Sequence, residues 1–105
     1  MRTVPIASIE LDTDGRLLVR PEIAETPLFD HVYRAATGVR WRPADRSFLP
    51  EEVKDATPSR WFEIILASVH DELGIDLCID VGTKWISIPP GMREEMMSLA
   101  SQWAV

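Results

Sequence analysis

Apolar and polar residues alternate along IASIELDTDGRLLVRP, on both sides of the polar sequence DTDG. Gly15 can adopt the positive φ that a tight connection requires, so the pattern predicts a β-hairpin. Ala7, Ile9 and Leu11 would share one face of the first strand, because successive side chains of a strand point to opposite faces. Leu18 in the second strand points away from its two apolar neighbours. We therefore expect both faces of the sheet to be partly covered.

Two stretches, ETPLFDHVYRAATG and TPSRWFEIILASVHDELG, carry the same start and stop signals for an α-helix. In each, a threonine (Thr26 or Thr57) is placed as the N-cap, a proline follows, and a glycine (Gly38 or Gly74) ends the helix. Ile64 lies almost opposite the apolar arc of the second helix, so we expect another element or a partner to cover it.

The remaining stretches predict four more strands and a helix. VRWRPADRSFL has the pattern of a second hairpin, in which Phe48 returns within reach of Trp41. IDLCID alternates cleanly, and WISIP is expected to pair back on it through the short turn VGTK. Pro90 can open a last helix. Its apolar stripe at helical spacing consists of Met92, Met96, Leu99 and Trp103.

The resulting order is hairpin, helix, hairpin, helix, hairpin, helix, and no long βαβ crossover is needed to connect it. This order predicts an α+β fold, with an antiparallel sheet of about five to six strands in hairpins and three helices packed on it. A chain of 105 residues fits a single globular domain spanning residues 1–105.

The net charge of −6 argues against nucleic acid as a partner, since the eleven Lys and Arg residues are scattered and the acidic surface would repel phosphate. The sequence contains no apolar run that approaches a membrane span, and its first residues lack the pattern of a signal peptide. A single cysteine cannot form an internal disulfide. We therefore expect a cytoplasmic protein with no membrane contact.

The stretch SVHDELGIDLCID places a histidine, four acidic residues and the cysteine close together in sequence. His70 belongs to the flank of the second helix, whereas Asp76, Cys78 and Asp80 would line one face of the following strand, so these groups need not converge. Carboxylates beside Cys78 would stabilise the thiol and not the reactive thiolate. We interpret this stretch as packing and predict no catalytic residue in it.

Cofactor and metal signals are missing from the sequence. His31 and His70 stand far apart, and the chain has no HExxH, paired cysteines or calcium-loop spacing. Its five glycines form neither GxGxxG nor GxxxxGK[ST], so no nucleotide loop is predicted. We expect no cofactor and no metal, although a carboxylate pair meeting in a cleft remains compatible with the sequence.

The tryptophans are the most suggestive feature for binding. They come from two predicted strands and two predicted helices, so they could line one pocket wall or anchor a binding surface. The alternative is that each tryptophan fills the core of a small domain, and the methionine stripe of the last helix is either a core face or a partner groove. The predicted binding residues are Trp41, Trp61, Trp85, Trp103 and Ile64.

The segments YRAATGVRW, TPSRWF and GTKWISIP resemble small uncharacterised bacterial proteins carried on integron gene cassettes. The IELDTDGRLLV hairpin belongs to the same resemblance, which covers most of the chain. It implies a bacterial cytoplasmic accessory protein and supplies no catalytic residues.

These observations favour a non-enzymatic binding module that uses an aromatic surface or pocket to hold a protein partner or a small apolar ligand. One alternative is an acidic inhibitor or immunity-type protein that covers a basic target. Another is a small enzyme with His70 or His31 as a base oriented by a carboxylate. A homodimer formed through the methionine stripe is compatible with the binding hypotheses.

Overall fold

The computed structural model describes residues 2–22, 39–42, 44–50 and 57–103, which contain six strands and two helices. The predicted helix between Thr26 and Gly38, with His31, lies outside the described residues. No helix in the described ranges is long and apolar enough to cross a membrane. The elements are β1 (Arg2–Leu11), β2 (Leu17–Pro21), β3 (Val39–Arg42), β4 (Ser47–Pro50), α1 (Pro58–Leu73), β5 (Ile75–Cys78), β6 (Lys84–Ile86) and α2 (Pro90–Trp103).

The six strands form one mixed sheet with the order β3-β4-β2-β1-β5, and β6 also pairs with β1. The α+β class and the strand number are confirmed. The first two hairpins are confirmed as well, since β1 pairs with β2 and β3 pairs with β4 in antiparallel fashion. In the first turn, Gly15 has φ +79° and its N–H donates to the carbonyl of Asp12.

The predicted third hairpin is wrong, and with it the purely antiparallel sheet. β5 and β6 both run parallel to β1: Pro5 is opposite Cys78, and Ser8 is opposite Lys84. Between these two pairs β1 advances by three residues, whereas the segment from Cys78 to Lys84 advances by six. Residues 79–83 therefore leave the edge of β1 and return to it. The Thr83 hydroxyl donates to the Ile6 carbonyl over 2.6 Å, which fixes the point of return.

A β-bulge at Ala7 changes the predicted alternation of β1. From the pair Ile6–Pro21 to the pair Ser8–Arg20, β1 advances by two positions and β2 by one, so the pairing shifts at this point. Ile6 and Ile9 are consequently both buried in the core although they are three positions apart. Ala7 therefore does not alternate regularly with Ile9 as predicted, because the bulge changes the face on which the following residues point.

Helix α1 has the predicted termini. The Thr57 hydroxyl accepts a hydrogen bond from the N–H of Arg60 at 3.2 Å, and Gly74 adopts a left-handed conformation with φ 65°. Both helices pack against one face of the sheet and meet each other there. The core between these layers contains Val4, Ile6, Ile9, Leu17, Val19, Val39, Phe48, Phe62, Ile65, Leu66, Val69, Ile75, Leu77, Met96 and Ala100.

The opposite face of the sheet also buries side chains, as expected. Leu18 and Leu49 are almost inaccessible, although both alternate with residues of the main core. Both faces of the sheet are therefore covered in part, which confirms the expectation drawn from Leu18.

An ion-pair network lies on the same face and is centred on Asp45, in the turn between β3 and β4. Arg42 donates to both of its carboxylate oxygens, at 2.8 and 2.6 Å, and Arg20 of β2 donates to Oδ2 at 2.9 Å. The buried Ser47 hydroxyl donates to Oδ1 at 2.8 Å. The Arg42 hydrogen bonds, followed by those of Ser47 and Arg20, hold the pKa of Asp45 well below its usual range. This carboxylate thus connects the second hairpin to the centre of the sheet.

Candidate functional site

Two of the predicted binding residues lie at opposite edges of the sheet. Cross-strand pairing forms one continuous row from Trp41 on β3 through Phe48, Val19 and Ile9 to Trp85 on β6. The Trp41 and Phe48 rings are in contact, with centroids 4.8 Å apart, as the sequence predicted. Both tryptophans are half-buried and pack against the core. Because the row spans the sheet, Trp41 and Trp85 do not share a pocket wall.

The other predicted residues belong to the helices. Trp61 is half-buried at the margin of the core. Ile64 is also half-buried: it packs against the core and lines a groove of about 530 Å³ together with Gln102 of α2. Trp103 is the last residue of α2, and its side chain lies outside the described part of the structure. The structure therefore distributes the tryptophans that it describes around the core and does not bring them together.

The methionine stripe of α2 is a core face. Met96 and Ala100 are buried in the core, and Met92 and Leu99 pack against it. Of the two interpretations of the stripe, packing is the one that the structure confirms. Met97, which lies off the stripe, is instead 46% exposed.

The structure brings His70 and Asp76 together. Nδ1 of His70 lies 2.7 Å from Oδ1 of Asp76, which links the last turn of α1 to the start of β5. Neither side chain lines the groove at Ile64 or a second groove between Cys78 and Met97. In the described ranges, no three His, Cys, Asp or Glu side chains are grouped so that they could hold a metal ion. We assign this pair a structural contact between helix and strand.

Cys78 has the environment of an unreactive thiol. Burial raises its pKa, and the carboxylates of Asp80 and Glu22 raise it further. The sequence predicted this direction, with Asp80 as one of the responsible groups. The contribution of Glu22 depends on the tertiary fold, because this residue comes from the end of β2.

We expect alkylation of Cys78 by iodoacetamide at pH 7.5 to be several-fold slower in the folded protein than in the urea-unfolded chain, because the thiolate is the nucleophile. The Glu22→Gln variant should react faster than the wild type, since it removes one of the two carboxylates. Mass spectrometry of timed samples gives both rates. Equal rates in the folded and unfolded chains would contradict the assignment.

A groove runs between the end of β5 and helix α2. It has a volume of about 230 Å³ and is lined by Cys78, Ile79, Met97, Ala100 and Ser101. Strand β5 is the last strand of the sheet on this side, so the groove lies directly beside a sheet edge. We call β5, residues 79–83 and β6 together the β5–β6 edge.

The exposed large apolar side chains of the described residues belong to this edge or to α2 beside it. Val81 is fully exposed, Met97 is 46% exposed and Ile86 39%, and these are the exposed large hydrophobic residues of the described ranges. Val81 and Ile86 belong to the β5–β6 edge, and Met97 lines the groove beside it. Trp85 also lies on this edge, with the Arg93 guanidinium of α2 over its ring at 5.1 Å. Of the predicted binding residues, Trp85 is therefore the one placed beside this surface.

Sequence patterns did not indicate Val81, Ile86 or Met97 as surface residues of interest. The available signal for Met97 was its position off the apolar stripe, next to the buried Met96. No comparable signal existed for Val81 and Ile86, because the predicted third hairpin would have placed their strands differently.

The family model for Integron Cassette Protein Hfx_Cass5 matches residues 4–83 of the chain. The chain belongs to this integron cassette family. The match runs from β1 to the return point at Thr83, and α2 lies beyond it. This confirms the resemblance to integron-cassette proteins drawn from the tryptophan-containing segments.

A solved structure is also similar to the chain. It is the Integron Cassette Protein Hfx_Cass5 from the mobile metagenome of the North West Arm Sewage Outfall. The two are 29% identical, the alignment covers 96% of this chain and 98% of the Hfx_Cass5 chain, and the TM-score is 0.45. No curated protein matches the sequence.

Proposed function

We propose that this integron cassette protein is a non-enzymatic interaction module that binds a protein partner along the β5–β6 edge. The observation that carries the proposal is that the exposed large apolar side chains of the described residues belong either to this edge, as Val81 and Ile86 do, or to α2 at the groove beside it, as Met97 does. Large apolar side chains left exposed beside a groove are a common feature of interaction surfaces. A cytoplasmic location is part of the proposal, since an unpaired cysteine is common in reducing compartments.

The grooves of the β5–β6 edge favour a protein partner over a small apolar ligand. The larger one, of about 540 Å³, is lined by the charged residues Glu22, Asp80 and Lys84 and does not suit an apolar molecule. Sites for small molecules usually enclose roughly 300–1,000 Å³ and bury most of the ligand. The groove beside Cys78 has about 230 Å³ and suits a single side chain of a larger partner. The apolar residues outside the groove, Val81 and Ile86, would then contact the rest of that partner.

The acidic inhibitor or immunity-type hypothesis is a narrower version of the same proposal. Glu22 and Asp80 line one groove together with Val81 and Lys84, so the edge carries negative charge beside its apolar residues. Such an edge favours a basic partner, and its complex should weaken as salt rises. Binding that is indifferent to ionic strength would count against this version.

A glutamate at position 97 should abolish partner binding. We expect Met97→Glu to reduce the amount of a stoichiometric partner captured from bacterial lysate at least about tenfold, because a charge would be buried in the apolar centre of the interface. The control is Ser98→Glu, which adds the same charge at an exposed neighbouring position of α2. Quantitative mass spectrometry of the retained proteins measures the effect, with equal melting temperatures confirming intact folds.

The result would contradict the proposal if both variants retained the partner, or if both lost it equally.

Trp41→Phe and Trp85→Phe test the role of the tryptophans in the same assay. If the partner binds the β5–β6 edge, only Trp85→Phe should weaken capture, since Trp41 lies at the far edge of the sheet. Loss through Trp41→Phe alone would place the binding surface at β3.

A further inference from the structure

Strand β5 has one side without a strand neighbour in the described part of the chain. It pairs with β1 through Arg2–Pro5, and the sheet ends there. The backbone N–H and C=O groups of alternate residues in an edge strand point away from the sheet and can pair with an additional strand. The four residues of β5 thus offer a short template for backbone hydrogen bonding.

The groove beside α2 is positioned to receive a side chain from such an added strand. Side chains of a strand alternate between its two faces, so one side chain in two would point to the helical layer. On that side Met97, Ala100 and Ser101 of α2 face Cys78 and Ile79 across about 230 Å³. This volume suits one aliphatic side chain of an extended segment.

The charge around β5 indicates which kind of added strand this edge would attract. Asp76 belongs to β5, and Asp80 lies in the turn two residues beyond its end. Glu22 lies on the other side of β1, where its N–H donates to the Pro5 carbonyl, so it is not beside the free side of β5. The two aspartates outnumber Lys84, which lines a groove together with Asp80. An added strand with basic side chains would be attracted to this edge, whereas an acidic one would be repelled.

A second copy of this chain fits the edge less well. Two-fold pairing of β5 with its counterpart would bring two copies of the same acidic strand end, with Asp76 and the nearby Asp80, alongside each other, in a chain of net charge −6. Like charges on directly neighbouring strands are destabilising. The occupant is therefore a different protein.

We infer that the partner contributes a short extended segment with alternating basic and aliphatic residues, which adds as a strand beside β5 and inserts one aliphatic side chain between β5 and α2. The inference rests on the proposed function and specifies its partner. The segment is short because residues 79–83 turn away from β1 immediately after β5.

The test uses a synthetic probe, the capped hexapeptide Lys-Val-Lys-Val-Lys-Val, titrated into the full-length protein and followed by NMR at low salt. We expect saturable shifts of the amides of residues 75–78 and slower hydrogen exchange of those amides. The Asp80→Asn variant should weaken binding about twofold to threefold, since one exposed charge contributes modestly. The asparagine keeps the side-chain oxygen that accepts from the Gly82 N–H.

Two control peptides separate backbone pairing from attraction of charge. The same hexapeptide with every amide N-methylated keeps its side chains and charge but cannot donate backbone hydrogen bonds, so it should not bind. A Glu-Val hexapeptide should not bind either. Equal binding of the N-methylated peptide, shifts located away from β5, or no binding of the Lys-Val peptide at 1 mM would overturn strand addition.

Failure of strand addition can be distinguished from failure of the proposed function. If capture in the lysate assay depends on Met97 but the Lys-Val peptide does not bind, the proposed interaction module stands and strand addition is rejected. Analytical ultracentrifugation tests whether a second copy of this chain binds the edge instead. A wild-type dimer that Met97→Glu converts to a monomer would reject a foreign segment and assign the edge to a second copy.

Discussion

Phe48→Ala should destabilise the protein by about 3–5 kcal/mol, as expected for a large side chain removed from a closely packed core. Phe48 is fully buried on β4, where it contacts Trp41 on one side and is paired with Val19 on the other. Since small domains are stable by roughly 5–15 kcal/mol, this single change would remove a large fraction of the folding free energy. Urea denaturation followed by tryptophan fluorescence measures it.

The position of Trp41 at the edge of the row provides an internal comparison. Trp41→Ala should cost less than half as much as Phe48→Ala, because the indole is half-buried and the strand carrying it is the last on its side. Ser98→Ala, at an exposed helical position, should have no measurable effect. Equal losses for Trp41→Ala and Phe48→Ala would show that Trp41 is a central core residue and not part of its margin.

The second large effect is the acid dependence of stability caused by Asp45. Asp45→Asn should lower the free energy of unfolding at pH 7 by about 1–3 kcal/mol, since it removes the charge that accepts hydrogen bonds from two arginines and a buried serine. The folded state depresses the pKa of this carboxyl. Its contribution is therefore complete above the unfolded pKa, near 4, and declines as pH falls further.

We accordingly expect the difference between the wild type and Asp45→Asn to be constant from pH 7 to about pH 5 and to shrink steadily toward pH 2. Urea denaturation at a series of pH values gives the difference directly. Asp14→Asn alters an exposed carboxylate in the turn of the first hairpin and serves as the control. A difference that stays unchanged down to pH 2 would mean that the network contributes through its shape and not through its charge.

Local sequence signals predicted the elements that depend on neighbouring residues. Thr57 and Gly74 bracket α1 as expected, and Gly15 forms the first turn. The bulge at Ala7 was missed because alanine is small enough to be tolerated on either face of a strand. The spacing of three between Ile6 and Ile9 was the only trace of it in the sequence.

The parallel pairing of β5 and β6 could not be predicted in the same way. Alternation in IDLCID indicates a strand but does not indicate which strand it pairs with, and VGTK has the composition of a turn that reverses the chain. The deciding contact is the hydrogen bond from Thr83 to Ile6, which joins residues 77 positions apart. The β5–β6 edge, and with it the candidate site, follows from that pairing, so sequence patterns placed only Trp85 near it.

The central position of β1 also has a consequence during synthesis. Of the six strands this one is made first, whereas its parallel partners β5 and β6 are made last. At typical translation rates, on the order of several seconds pass before residues 75–86 exist. Throughout that interval the backbone of β1 at residues 2–5 and 8–10 has no strand beside it on the side that later pairs with β5 and β6. A nascent or truncated chain that ends at Gly74 should therefore depend on chaperones to avoid aggregation.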